Sequence, residues 1–223
     1  NYDELREALP RGYQSLLNPR DTQRAIFEAK RYIEDNLCRE LNLMMVTVPL
    51  IVERESGVND NLDRDGSRTP VEFPCGLGLA KRLNAQVVQA ATKWKRLALK
   101  QFDMQPGEGL CTDMRAVRKD YFLDHDHSSY VDQWDWERVM TAGERNLEFL
   151  TQIVRRIWKV IRGAERHVMA IFPELNDDRF PPLPEELTFI HAEEILERFP
   201  DLPRKQRETQ ILQDHPAVFI YGI

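Results

Sequence analysis

The densest run of chemistry in this chain is Tyr130-Val131-Asp132-Gln133-Trp134-Asp135-Trp136-Glu137. In an extended strand, successive side chains point to opposite faces. Tyr130, Asp132, Trp134 and Trp136 then share one face, and Val131, Gln133, Asp135 and Glu137 the other. The first face is mostly aromatic and is expected to be core. The second is a row of one amide and two carboxylates. Such a row either faces water from a half-exposed antiparallel sheet or lines a pocket that reads an ammonium or amino group, and alternation alone leaves both open.

Cations are grouped in two places. Lys93-Trp94-Lys95-Arg96 follows Thr92, where a helix is expected to begin. Positive charge there opposes the helix dipole unless an anion sits nearby, and a solvated charged face is the plain alternative. Arg115, Arg118 and Lys119 flank a second charged loop, and the planar arginine fork suits phosphate. Asp124-His125-Asp126-His127 has the side chains of a metal site. No other Cys or His spacing supports zinc, so a solvated loop is expected there and no metal ligand is assigned. The chain has no GxxxxGK[ST], GxSxG or HExxH pattern, so the phosphate loop, nucleophile elbow and zinc-peptidase signatures are missing.

The 223 residues carry 31 Lys and Arg against 37 Asp and Glu, a formal charge of −6. An acidic chain without a basic block is poorly suited to hold a nucleic-acid backbone, so no nucleic-acid partner is expected. The longest uncharged stretch, Leu41 to Val52, contains Pro49 and falls well short of the ~20 apolar residues that span a bilayer. No membrane association is expected. Three separated cysteines, Cys38, Cys75 and Cys111, argue for a reducing compartment and a cytoplasmic protein.

These residues need elements to position them. Residues 1–20, polar and with Pro10 and Pro19, are expected to be an arm, and 21–223 one domain. Asp21 is expected to cap a helix along Ile26, Ala29, Ile33 and Leu37. Leu43 to Val52 is expected to be one buried strand whose pairing stops at Pro49. Residues 53–70 form a turn-rich loop closing a hairpin with a strand near Val71 to Phe73. A further strand is expected over Gln86 to Gln89, and Thr92 as the cap of a helix reaching Met104. Leu110 to Arg118 and Ser128 to Glu137 form a long-looped antiparallel hairpin. Glu144 to Phe172 is the strongest helix. A proline-rich link then leads to a strand at Thr188 to Ile190 and two short helices. The chain ends in a β-type run, Ala217 to Ile223, that calls for neighbouring strands, so the natural chain is expected to continue.

Taken in order, these segments resemble the catalytic domain of class II aminoacyl-tRNA synthetases. The helix and apolar strand ending at Pro49 are similar to its motif 1. Arg118-Lys119-Asp120, the charged loop, and His127 through Glu137 are similar to its motif 2. The closer resemblance is to ammonia-dependent asparagine synthetase, the type A aspartate–ammonia ligase family. It is carried by Asn59-Asp60-Asn61-Leu62, Lys93-Trp94-Lys95-Arg96, Gly107-Glu108-Gly109-Leu110, Tyr130 to Glu137 and Pro200-Asp201-Leu202.

The resemblance implies an α+β fold, an antiparallel sheet flanked by helices, and a homodimer formed through motif 1. It implies that aspartate attacks the α-phosphorus of ATP to give β-aspartyl-adenylate and pyrophosphate, and that ammonia then gives asparagine and AMP, with Mg2+ on the phosphates. By position, Arg118 would neutralise the α-phosphate, with Ser128 and His127 beside the nucleotide. Lys95 would hold a substrate carboxylate, Gln133 and Asp135 would orient aspartate, and Asp60 would act near the amino acid and the incoming ammonium.

Three features depart from the pattern. Gln89-Ala90 stand where relatives carry His-Ser. The missing hydroxyl at Ala90 removes a polar contact worth roughly 1.5–3 kcal/mol when it meets a charged group, for which Thr92 or Gln89 would have to substitute. Residues 63–70 are unusually charged. The resemblance also places acidic metal-binding strands and a glycine-rich motif 3 with an ATP-contacting arginine beyond Ile223, so the 223 residues alone are expected not to form adenylate. Two competing readings follow: an adenylate-forming amide ligase for another acid, and a non-catalytic synthetase-like amino-acid-binding protein.

Overall fold

The computed structural model describes residues 10, 12–60, 62, 66–78, 82–121, 123–124 and 127–222. Half of the expected arm, residues 1–9 and 11, lies outside them. The chain divides into two compact units, one built mainly from Glu34–Asn146 and the other from Leu16–Ile33 with Leu147–Ile223.

The first unit contains two sheets. Helix α1 (Pro19–Leu41) ends in it, and Asn42, at φ 55°, turns the chain into strand β1 (Leu43–Val46). Asparagine tolerates this left-handed conformation, which closes a helix C-terminus. β1 pairs in parallel with β5 (Gly109–Val117), and β5 pairs antiparallel with β6 (Tyr130–Arg138) along its whole length. The second sheet has the order β2 (Ile51–Glu53), β4 (Leu83–Val87), β3 (Glu72–Cys75), all antiparallel. Helix α2 (Thr92–Gln101) packs on β5 and β6. Leu37, Leu41, Leu110, Cys111, Met114 and Ala116 are buried here.

Several sequence expectations change. The single strand over 43–52 is two strands in different sheets. Pro49 has no amide to donate, so the ladder breaks around it and Ile51 starts again beside β4. β3 does not close a hairpin on β2; β4 lies between them and pairs with both. Pro74 thereby sits on an edge strand, where a missing N–H costs nothing. The main sheet is mixed, because β1 runs parallel to β5. The long-looped β5–β6 hairpin is present as expected.

The second unit holds the start of α1, helix α3 (Leu147–Ile171), parallel strands β7 (Thr188–His191) and β8 (Val218–Tyr221), and helices α4 (Ala192–Arg198) and α5 (Arg204–Asp214). The cap of α1 is Asn18, not Asp21: the Asp21 amide donates to Asn18 Oδ1 at 3.0 Å. Pro19 takes the first helical position, where its fixed φ fits and no amide is needed. Asp21 sits in the first turn, its carboxyl held below the usual range chiefly by hydrogen bonds from Asn18 and then Arg24. Ala25, Val168 and Phe172 form one core cluster and Ile190, Ile195 and Ile211 another. Among the described residues no helix is long and apolar enough to cross a membrane.

Candidate active site

The β5–β6 register decides which side chains meet. Leu110, Thr112, Met114 and Ala116 stand opposite Glu137, Asp135, Gln133 and Val131. Directly opposed residues share a face, so the polar row of β6 lies beside the buried side chains of β5. α2 packs against this face and leaves it only partly open to water. Thr112 fixes the register by donating its hydroxyl to the Asp135 carbonyl at 3.1 Å.

α2 turns Lys95 and Ala98 inward, one helical step apart, and both are buried. Lys95 is only 1% exposed, yet it carries a charged head. Its ammonium pairs with the Asp135 carboxylate, lies 3.9 Å from Glu137 Oε1, and donates to the Trp136 carbonyl at 3.4 Å. Arg96 approaches Glu137 from the solvent side at 3.8 Å. Burial pushes the Glu137 carboxyl up; Lys95 and Arg96 pull it down, while Asp135 and Asp60 raise it further. The site is therefore a partly closed cluster of two cations and three carboxylates. Such a cluster can exchange its internal ion pair for the two ends of a zwitterion.

Asp60 enters from a distant loop. Its Oδ2 accepts the Thr92 amide at 2.6 Å, so Asp60 supplies the anion at the start of α2. Thr92 is the first residue of the helix, and Ala91 before it provides no side-chain cap. The expectation that Thr92 caps α2 is thus replaced by a cap from 32 positions away. Lys93 donates to the carbonyls of Gly57 and Asn59 at 3.3 and 3.0 Å, which holds that loop against the helix.

Arg118 lies just past the end of β5. It donates through Nε to the Gln89 carbonyl at 3.4 Å and through Nη2 to Gln133 Oε1 at 3.3 Å. Its guanidinium sits 5.5 Å from the Tyr121 ring centre, and that of Arg68 sits 4.1 Å from the same ring. Thr69 donates its amide and hydroxyl to Asp120, so residues 66–70 dock beside the β5–β6 loop.

Two groups therefore form on one face, Lys95 with Asp135 and Arg118 with Gln133. His127 and Ser128 lie further out on the loop. The His127 ring meets Asp124 Oδ1 at 2.7 Å, and Ser128 accepts the Tyr130 amide at 3.2 Å. His125, Asp126 and Asn61 fall outside the described residues. Glu137, on the polar face of β6 two residues after Asp135, joins the Lys95 cluster, and Arg96, for which the sequence offers no separate role, meets it from outside. The Gln89 side-chain amide donates to the Arg68 carbonyl at 3.3 Å. Among the described residues no group of three His, Cys, Asp or Glu side chains is arranged to hold a metal. A cavity of about 380 Å³ lined by Met45, Thr47, Leu50, Asp113 and Arg115 belongs to the opposite sheet face.

Solved structures with the same fold are asparaginyl-tRNA synthetases. The enzyme from Pyrococcus horikoshii complexed with asparaginyl-adenylate matches with a TM-score of 0.61 and 11% identity, over 91% of this chain and 44% of that one. The enzyme from Entamoeba histolytica, also with asparaginyl-adenylate, matches with a TM-score of 0.57 and 9% identity, over 98% of this chain and 49% of that one. The fold is that of a class II aminoacyl-tRNA synthetase catalytic domain. Sequence narrows this class: the aspartate-ammonia ligase family profile matches residues 20–223, and the chain belongs to that family. An aspartate–ammonia ligase from Clostridium perfringens is 45% identical over 215 residues, 96% of this chain and 62% of the relative. One from Parabacteroides distasonis is 42% identical, over 96% and 60%. The chain thus spans about three fifths of the length of these relatives.

Proposed function

We propose that this chain carries the aspartate-activating face of an aspartate–ammonia ligase that makes asparagine through a β-aspartyl-adenylate. The observation that carries this reading is the buried Lys95 ammonium held by Asp135 and facing Glu137. A charged lysine is buried only when paired, and a pair beside an open row of polar groups is suited to bind a zwitterion. Aspartate would bring a carboxylate to Lys95 and its ammonium to Asp135, with Gln133 donating to or accepting from it.

The first step joins two anions, so positive charge must be in place before reaction. Arg118, oriented by Gln133 and the Gln89 carbonyl, would draw charge from the α-phosphate as the β-carboxylate oxygen bonds to phosphorus and pyrophosphate leaves. ATP enters as its magnesium complex. Asp135 and Glu137 are engaged by Lys95 and Arg96, so this cluster offers the metal no cage. In the second step ammonia would bond to the acyl carbon as AMP leaves; ammonium must first lose a proton, and in this reading Asp60 would accept it. His127 and Ser128 would flank the nucleotide from the loop. The reading includes a homodimer through the β1 region, where Met44, Leu50 and Ile51 are about half exposed, in the cytoplasm and without nucleic acid.

Ala90 favours one second reading, an amide ligase acting on another acid. The test is AMP release by the longest natural form of the chain with ATP, magnesium and aspartate, with and without ammonium. AMP and asparagine formed in equal amounts, and only with ammonium present, are expected. AMP formation with a different acid and none with aspartate supports the second reading.

A further inference from the structure

Asn59 is 7% exposed, and the structure gives each polar atom of its side chain a partner. Its Oδ1 accepts the Gln89 amide at 2.9 Å. Its Nδ2 donates to Gln86 Oε1 and to the Val87 carbonyl, both at 3.2 Å. Its own carbonyl receives Lys93 Nζ at 3.0 Å. One short side chain therefore ties a loop that carries Asp60 to the end of β4 and to the approach to α2.

Two consequences converge. Asp60 follows Asn59 directly, and with Asn59 pinned its carboxylate reaches the Thr92 amide. Gln89, itself 1% exposed, receives Asn59 through its N–H and Arg118 through its carbonyl. The chain of bonds from Asn59 through Gln89 to Arg118 ends on Gln133. Asp60 and Arg118, the groups assigned to different half-reactions, thus depend on the same buried amide.

We propose that Asn59 is a positioning residue that sets Asp60 and Arg118 together. This rests on the proposed ligase reading. Asn59 touches no reacting atom; it fixes where two reacting groups sit, and displacing such groups by about 1 Å costs on the order of 10²-fold in rate. Removing the amide also leaves the Gln89 N–H buried without its acceptor. Asn59→Asp keeps that acceptor and loses both donors, so it separates the link to Arg118 from the anchor on β4.

The test uses Asn59→Ala and Asn59→Asp in the longest natural form of the chain, with three readouts. The first is amide hydrogen exchange, which needs no activity. Asn59→Ala is expected to speed exchange at Gln89 and Thr92 by tenfold or more while the thermal midpoint stays within a few degrees. The second is the amplitude and rate of adenylate formation from aspartate and ATP without ammonium. Asn59→Ala is expected to show full amplitude at a rate ~10²-fold lower, with the KM for aspartate within about threefold. Asn59→Asp is expected to recover at least a tenfold share of that rate. The third is AMP release with ammonium, slowed in both variants. A reduced amplitude at the normal rate would mean that Asn59 only holds the fold together, and would overturn the proposal. Unchanged exchange at Gln89 and Thr92 would also overturn it. A parent protein that forms no adenylate with aspartate would overturn the ligase reading itself and with it the positioning role.

Discussion

Lys95 is the residue on which the account turns, because its charge is buried and its partners are the groups assigned to substrate. Asp135→Asn leaves the ammonium with the Trp136 carbonyl at 3.4 Å and Glu137 at 3.9 Å. The expected loss is about 3 kcal/mol, the low end for breaking a buried pair, since Asp135 is itself 21% exposed. Lys95→Met should cost less in stability, because the two carboxylates it leaves can reach water, but should abolish aspartate binding. Urea midpoints and aspartate titration of both variants check this order. Glu137 gives a pH signature. Its native carboxyl is raised by burial, so its contribution to stability is full below the unfolded pKa and is lost as pH rises through the native one. Glu137→Gln imitates the protonated form and should be more stable than the parent at neutral pH, the gap closing on acidification towards pH 4. Urea midpoints across that range read it directly. Cys111 is a third case: burial pushes its thiol up to about 12, with Cys38 beside it. Iodoacetamide at pH 8 should leave Cys111 unmodified until the protein unfolds, which peptide mass mapping would show. The shared face of Gln133, Asp135 and Glu137 was legible from the strand period, whereas the roles proposed for Lys95, Gln133 and Asp135 came from the family resemblance, because alternation alone does not separate a pocket from a solvated face. The dependence of Asp60 on Thr92 was not legible, since no local pattern links positions 60 and 92.

At the scale of elements, the site needs β5 and β6 in close register and α2 laid across them. Gly109 permits that closeness. A Cβ there would lie 2.3 Å from the Glu137 carbonyl oxygen and 2.8 Å from Arg138 Cα. Backbone cannot yield as a side-chain tip can, so Gly109→Ala should destabilise by 3 kcal/mol or more, beyond the ~1–3 kcal/mol typical of overpacking. It should also displace Glu137. Thermal unfolding measures the first effect, and loss of the Glu137→Gln pH signature in the double variant measures the second. The hairpin was readable from alternation on both strands and a polar loop between them. The division at Pro49 was only half readable: proline announces that pairing stops, but which sheet each fragment joins is decided by long-range pairing. Likewise Asn18 displaced Asp21 as the α1 cap because Pro19 suits the first helical position, a rule that reads three residues earlier than the hydrophobic stripe suggests.

For the whole molecule, fold and family are consistent with one another, and the proposed chemistry lies in the unit containing β5, β6 and α2. The −6 charge is compatible with the proposed reading, in which small anionic substrates would be gathered by local cations rather than by an overall positive field. The proposed homodimer belongs at this scale: sedimentation should show a dimer, and Met44→Lys at the half-exposed edge of β1 should shift it towards monomer. The most direct test of the central claim is acid-dependent exchange of pyrophosphate into ATP without ammonium, by the longest natural form of the chain. Aspartate alone among aspartate, asparagine and glutamate should support exchange, and Lys95→Met should abolish it. Exchange supported by another acid and not by aspartate, or unaffected by loss of Lys95, would contradict the account.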